Sequence, residues 1–411
     1  MLRDYQIELA QQGAKKLLAY GLVYYAFQMR VGKTLTALET CNLIKAKNAL
    51  FITAKKARKS IENDFKAAGY SFLLDVINYE AIGKIVRSYD VIIGDEAHNF
   101  GAYPKPSQRT QKLQELVGNS YLILLSGTPT PESWSQIFHQ LNLSKRSPFA
   151  HYKNFYKWAK DYVTVTQRKY NGINVNDYSK ANQYIIEQMT NHLFITYTQQ
   201  EAGFEQKEIN ELIIDIETSQ EVKALMQYLI KNRVYELKQQ EGAAIVCDSA
   251  VKLQSKLHQL SSGTVKTTAG GIVLDTAKAQ YIKENYAGKK IAIFYKYIAE
   301  RKAIEDTLGK QNLTDSPEEF NQAPDKIFVS QIKSGALGIN LSTADILIFY
   351  NIDFSSQLYW QARERMQTLT RKKEAVVHWL FNNVGIEHKI YDTVMKKKDY
   401  TNYYFKKDYL C

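Results

Sequence analysis

Three short blocks of this 411-residue chain hold residue types that together perform phosphate chemistry: Gly32-Lys33-Thr34, Asp95-Glu96-Ala97-His98 and Ser126-Gly127-Thr128-Pro129. A glycine lets the backbone close around an anion. A lysine ammonium reaches the β- and γ-phosphates of a nucleotide as a point charge, and a threonine hydroxyl binds Mg²⁺. Asp95 and Glu96 add two carboxylates, Asp95 to hold the metal through water and Glu96 to take a proton from an attacking water. His98 and the small-residue turn Ser126-Gly127-Thr128 suit a link that senses the terminal phosphate and passes the signal on. Each block has a plainer reading: a helix start, a solvated acidic pair, a bare turn. In this order and at these intervals they point to a site that binds and cleaves a nucleoside triphosphate.

Such residues must be carried on a strand, a tight loop and a helix, and the flanking sequence supplies them. Leu22 to Phe27 is a short apolar, aromatic and β-branched run that predicts a buried strand. Leu35 to Ile44 repeats apolar residues at helical spacing, so that a helix N-terminus with its positive dipole end faces the anion. Phe27 stands where the full pattern G-x-x-x-x-G-K-[ST] has its first glycine, so the match is partial. Tyr89 to Gly94 and Tyr121 to Leu125 predict two further strands. The acidic pair and the serine turn follow at their C-terminal ends, where ligands bind in open α/β sheets.

These blocks resemble those of superfamily 2 helicase-type ATPases, and within them the Swi/Snf-related, DEAH-containing motors of bacteriophage type, nearly end to end. The resemblance implies an α/β fold of two RecA-like parallel-sheet lobes in tandem with helical protrusions between them. It also implies ATP and Mg²⁺ as ligands, with ATP held between the lobes. Leu2-Arg3-Asp4-Tyr5-Gln6 is similar to the block whose glutamine recognises adenine, which gives Gln6 that role. Arg30, Gly32, Lys33 and Thr34 fall in the phosphate loop, Arg30 replacing a glycine common in the family. Phe51 to Lys55, with Lys56, and Ile77 to Glu80 resemble segments that touch a nucleic-acid backbone, which singles out Thr53, Lys55, Lys56 and Tyr79. Ser334 to Leu341 resembles a loop of the second lobe that contacts nucleotide through Gly338 and Asn340 and DNA through Ser334. Gln361-Ala-Arg-Glu-Arg365 resembles the arginine-finger block, with Gln361 coupling the sites, Arg365 as finger and Arg363 as its alternative. Glu364 and Thr368 stand where the family often has a glycine and a second arginine.

The motif spacing divides the chain into an ATPase lobe at 1–140, helical protrusions and linker at 141–271, and a second lobe at 272–411. A chain of this length exceeds a single core. Its formal net charge of +12 favours a polyanionic partner, although an abundance of Lys, Tyr, Asn and Ile also follows from an AT-rich gene. DNA is the expected partner, duplex before single strand, with RNA and a recruiting protein as further possibilities. Lys396 to Lys398 and Lys406-Lys407 flank Tyr400, Tyr403 and Tyr404, a basic–aromatic mixture able to follow phosphates. Cys41, Cys247 and Cys411 are scattered, and the apolar runs are too short to cross a bilayer. With no leader-like opening, these imply the cytoplasm, that of a bacterial host if the gene is a phage's. HExxH and GxSxG patterns are absent. A strand-separating DNA or RNA helicase, a nucleotide-gated clamp with little turnover and a P-loop metabolic kinase remain as alternatives.

Overall fold

The computed structural model describes residues 2–170, 173–203, 209–237, 243–335, 339–363 and 374–396. The chain forms two compact units, 1–206 and 207–411. The first contains strands β1 (Leu22–Phe27), β2 (Asn48–Thr53), β3 (Leu73–Asn78), β4 (Val91–Gly94) and β5 (Tyr121–Leu125), a hairpin of β6 (Thr166–Tyr170) with β7 (Ile173–Asp177), and β8 (Phe194–Tyr197). Six of them make one sheet in the order β3-β2-β4-β5-β1-β8, parallel throughout.

Successive side chains of these strands feed opposite faces, as a pleated backbone requires. Leu22, Tyr24, Leu50, Ile52, Ile92, Leu122 and Leu124 pack on one side with Phe138, Phe149, Phe155 and Trp158. Val23, Tyr25, Phe27, Phe51, Ile93, Ile123 and Leu125 pack on the other with Leu9, Leu17, Leu38 and Cys41. Burial on both faces is why the strands read as continuous apolar runs and not as alternating ones. Helix α1 (Asp4–Tyr20) and helix α2 (Lys33–Leu43) both lie on the second side.

The second unit contains β9 (Ile209–Ile216), the hairpins β10 (Val234–Glu236) with β11 (Ala244–Val246) and β12 (Thr264–Thr267) with β13 (Gly270–Val273), then β14 (Ile291–Tyr295), β15 (Leu313–Thr314), β16 (Ile327–Gln331), β17 (Ile346–Phe349) and β18 (Ala375–Asn382). Its main sheet runs β15-β16-β14-β17-β18-β9, again all parallel. Phe294, Phe349, Trp379 and Phe381 fill one face, with the Phe349 and Trp379 rings stacked 3.8 Å apart, and Ile291, Ile293, Ile348 and Leu380 fill the other.

The section 141–271, expected to hold protrusions of both lobes and the linker, divides between the two units at residues 206 and 207. Its helices include Phe155–Tyr162, Gln183–Thr190, Gln220–Asn232 and Ala250–Leu260, and it also supplies an edge strand to each sheet, β8 beside β1 and β9 beside β18. No helix among the described residues is long and apolar enough to cross a membrane.

Candidate functional site

The loop from Phe27 to Lys33 joins the end of β1 to the start of α2, and its carbonyl groups are tied to donors around it. Lys33 Nζ donates to Phe27 O at 3.0 Å and to Gln28 O at 3.2 Å. Gln199 Nε2 donates to Met29 O at 3.0 Å, and Tyr5 OH donates to Val31 O at 3.1 Å. Thr36 Oγ1 donates to Gly32 O at 3.1 Å, and the Gln6 amide reaches the same oxygen at 3.4 Å. In a trans peptide the C=O and the next N–H point opposite ways, so the Met29 and Val31 carbonyls, held by Gln199 and Tyr5, direct the following N–H groups away from those donors. That is the arrangement an anion requires. Gly32 has φ +89°, and a Cβ there would drive into the Gln6 side chain. Arg30 also adopts a left-handed φ of 65°, so the position that the family resemblance gives to glycine keeps its backbone conformation here with an arginine.

Asp95 follows β4 directly. Its carboxylate accepts from the Thr53 hydroxyl at 2.7 Å and from Glu96 N at 3.0 Å, while its own carbonyl accepts from Tyr79 OH at 3.0 Å. Burial, and then the neighbouring charge of Glu96, push the Asp95 carboxyl up to about 6, against the opposing effects of Thr53 and Lys33. Glu96 sits at φ 43°, a conformation that costs about 1–3 kcal/mol for a non-glycine residue and persists where the surroundings impose it. His98 Nδ1 is hydrogen-bonded to Ser126 Oγ at 2.9 Å and lies 3.5 Å from Glu96 Oε2. Burial lowers the imidazole to about 4, so it is neutral at pH 7. Ser126 Oγ also accepts from Thr128 N at 3.2 Å. Gly127 closes the group: a Cβ on it would stand 3.8 Å from Lys33 Nζ. The C-terminal ends of β1, β4 and β5 therefore bring Lys33, Asp95, Glu96, His98, Ser126 and Gly127 together, with Thr34 in the first turn of α2.

Some residues take other positions than the sequence suggested. Thr53 and Tyr79 were expected at a nucleic-acid backbone. Thr53 is wholly buried and Tyr79 nearly so, and their hydroxyls hold Asp95 from its side-chain and main-chain ends. A hydroxyl committed inside a core is not available to a phosphate. Gln6, expected at adenine, is buried, and its side chain bonds Arg3 N at 2.9 Å and Gly32 O. Lys55 and Lys56 form a short 3-10 turn after β2, with Lys55 exposed.

In the second unit, Asn340 is exposed, accepting from Ser342 N at 3.0 Å. Arg363 forms an ion pair with Glu211 and lies over the Trp360 ring at 4.8 Å. Glu211 also accepts from Trp379 Nε1 at 2.9 Å, Tyr359 OH at 3.1 Å and Tyr391 OH at 3.3 Å. Gly338, Glu364, Arg365, Thr368, Cys411 and the basic–aromatic tail from Lys397 onward lie outside the described residues, as do the side chains of Ser334 and Gln361.

Two contributors escaped the sequence reading. Gln140 accepts from Tyr24 OH at 2.7 Å and donates to Pro129 O at 2.8 Å, which fixes the turn after Ser126. Gln199, just beyond the end of β8, binds the loop that precedes α2 through Gln28 Oε1 and Met29 O. Gln140 sits in no motif; Gln199 falls in Phe194 to Glu201, a stretch similar to a segment of the resembled motors, but nothing local in it records what the glutamine will meet.

The SNF2-related domain family matches residues 38–263, more than half of the chain, and the chain belongs to that family. The match takes in the acidic pair and the serine turn and begins after the phosphate loop. Among its relatives, the ISWI chromatin-remodeling complex ATPase CHR11 of Arabidopsis thaliana is 23% identical over 396 residues, covering 87% of this chain and 35% of its own length. The ISWI chromatin-remodeling complex ATPase ISW1 of Saccharomyces cerevisiae is 22% identical over 390 residues, covering 85% and 33%. The chain thus spans about a third of the length of these relatives. A solved structure, the Sulfolobus solfataricus SWI2/SNF2 ATPase core in complex with dsDNA, is 18% identical and aligns over 96% of this chain and 91% of that one with a TM-score of 0.42.

Proposed function

We propose that this chain is a nucleic-acid-stimulated ATPase that couples ATP hydrolysis to translocation along DNA, duplex in preference to single strands. One observation carries the reading. Lys33, Asp95, Glu96, His98 and Ser126 gather at the C-terminal ends of adjacent parallel strands, beside a loop whose Met29 and Val31 carbonyls are held by Gln199 and Tyr5. Membership of the SNF2-related family and relatives named as chromatin-remodeling ATPases support it.

In this reading Lys33 exchanges its loop carbonyls for phosphate oxygens, and the loop N–H groups hold the rest of the anion. Glu96 takes the proton of the attacking water. Asp95 and Thr34 would hold Mg²⁺. Both offer the oxygen donors that this ion takes, and a carboxyl pushed up by burial and by a second carboxylate is one that a cation would relax. When bound, the ion neutralises charge developing on the phosphates. His98 and Ser126 connect the acidic turn to the end of β5, a route by which the state of the phosphates reaches the rest of the unit. Arg365 is retained as the finger.

The test is ATP turnover with no nucleic acid, duplex DNA, single-stranded DNA and RNA. Stimulation by duplex DNA is expected; turnover that ignores all three would overturn the motor reading. A strand-displacement assay beside a triplex-displacement assay separates unwinding from tracking. A second reading, a nucleotide-gated clamp with little turnover, is favoured by Thr368 at the second arginine position and by the engagement of Arg363 with Glu211. DNA binding that responds to ATP, with almost no phosphate release, would support it. Under either reading, a recruiting protein would be sought by capture with the full chain.

A further inference from the structure

The phosphate loop is gripped by a stretch of chain about 170 residues further on. Gln28 N donates to Tyr197 O at 2.9 Å, the last link of the β1–β8 pairing. Gln199 N donates to Gln28 Oε1 at 2.8 Å, and Gln199 Nε2 donates to Met29 O at 3.0 Å. The turn bearing Gln199 is itself braced. Thr198 N and Thr198 Oγ1 each donate to Glu201 Oε2 at 2.7 Å, and Tyr197 OH donates to Glu201 O at 3.1 Å. Tyr197 also stacks on Tyr5 at 5.1 Å, and Tyr5 OH binds Val31 O.

We propose that Gln199 is a positioning residue of the triphosphate site, holding the Met29–Arg30 peptide so that its N–H is presented to phosphate. The proposal rests on the nucleotide reading given above. Its physical basis is the division of labour among the loop's donors. Lys33 binds the Phe27 and Gln28 carbonyls, but those bonds are given up when its ammonium turns to a phosphate. Gln199 and Tyr5 have no such second duty. They keep Met29 O and Val31 O fixed while Lys33 changes partner, so the loop does not need to reorder when the anion arrives. Arg30, whose N–H belongs to that peptide, has a positive φ, a conformation that needs such support.

The experiment measures equilibrium binding of ATP and of adenosine to the full chain by calorimetry, together with the Tm without ligand, for wild type, Gln199→Ala, Gln199→Glu and Gln28→Ala. Loss of one supporting hydrogen bond should weaken ATP about three- to tenfold. Gln199→Glu should be worse than Gln199→Ala, because a carboxylate faces the Met29 carbonyl without a proton to donate. Adenosine, which lacks the phosphates, should bind all four proteins alike, which a general loss of structure would not produce. Wild-type affinity for ATP in Gln199→Ala, or a parallel loss for ATP and adenosine, overturns the proposal and leaves the nucleotide reading standing. Failure of wild type to bind ATP overturns both. If Gln199→Ala does not fold, Gln28→Ala decides: weaker ATP binding supports the proposal and unchanged binding sinks it.

Discussion

At the scale of single residues, the acidic turn divides its labour by environment. Asp95 is enclosed by Thr53, Tyr79 and the Glu96 amide, whereas Glu96 is held out on a left-handed backbone beside His98. Glu96→Gln should therefore lower ATP turnover by about 10²–10⁴-fold while ATP still binds, a split read by single-turnover kinetics and calorimetry. Parental turnover in that variant would remove Glu96 from the role of base. The raised Asp95 carboxyl gives a pH test with a definite sign. Metal binding needs the ionised form, so Mg²⁺-dependent nucleotide binding at low metal concentration should fall as the pH drops through about 6. The Thr53 hydroxyl favours the ionised form, so Thr53→Ala should move that midpoint to higher pH; a shift the other way would contradict the assignment. Lys33, Asp95 and Glu96 could be chosen from the sequence because their types and spacing are tied to chemistry. The tasks of Thr53 and Tyr79 could not, because a hydroxyl at the end of a strand reads alike whether it faces a ligand or a buried carboxylate.

At the scale of elements, the second unit contains a fully buried ion pair that fastens the helix Ala277–Asn285 to the helix Glu387–Met395. Lys278 Nζ meets Glu387 Oε1 at 2.6 Å and Tyr350 O at 3.0 Å, and Asn382 N donates to Glu387 at 2.6 Å. Burial pushes Glu387 up to about 7 in spite of its lysine. Lys278→Met would leave that charge unpaired and should destabilise the unit by about 3–5 kcal/mol, followed by hydrogen exchange in β18. Adding Glu387→Leu should recover most of the loss. Because the folded carboxyl lies above its ordinary value, the fold binds the extra proton between about pH 4.5 and 7, and the contribution of Glu387 to stability falls as the pH rises through that window. Protection in Lys278→Met equal to wild type would refute the account. The strands around the site were legible, Leu22–Phe27 and Tyr121–Leu125 to the residue, since runs of apolar side chains set them locally. The β6–β7 hairpin was passed over because its sequence from Thr166 to Asp177 is largely polar, although the Asn171-Gly172 dipeptide between the strands is itself a hairpin-turn signal.

At the scale of the whole molecule, a net charge of +12 and a phosphate-tracking reading make a quantitative demand. Half-stimulation of ATP turnover should require on the order of 10³-fold more duplex DNA at 200 mM than at 50 mM salt if about six phosphates are neutralised. A half-stimulating concentration independent of salt would leave the basic charge without this purpose. By itself the sequence determined which residue types stand in the acidic turn and in the loop before α2, the strand–helix alternation and the α/β class. Each of these is written in neighbouring residues, through side-chain type and periodicity. Only the tertiary structure decided where the section from 141 to 271 divides between two units, that β8 and β9 complete sheets begun elsewhere in the chain, and that Gln140 and Gln199 steady the site. Strand partners and a glutamine's hydrogen bonds are chosen by what lies near in space, and no local pattern records a neighbour about 170 residues away.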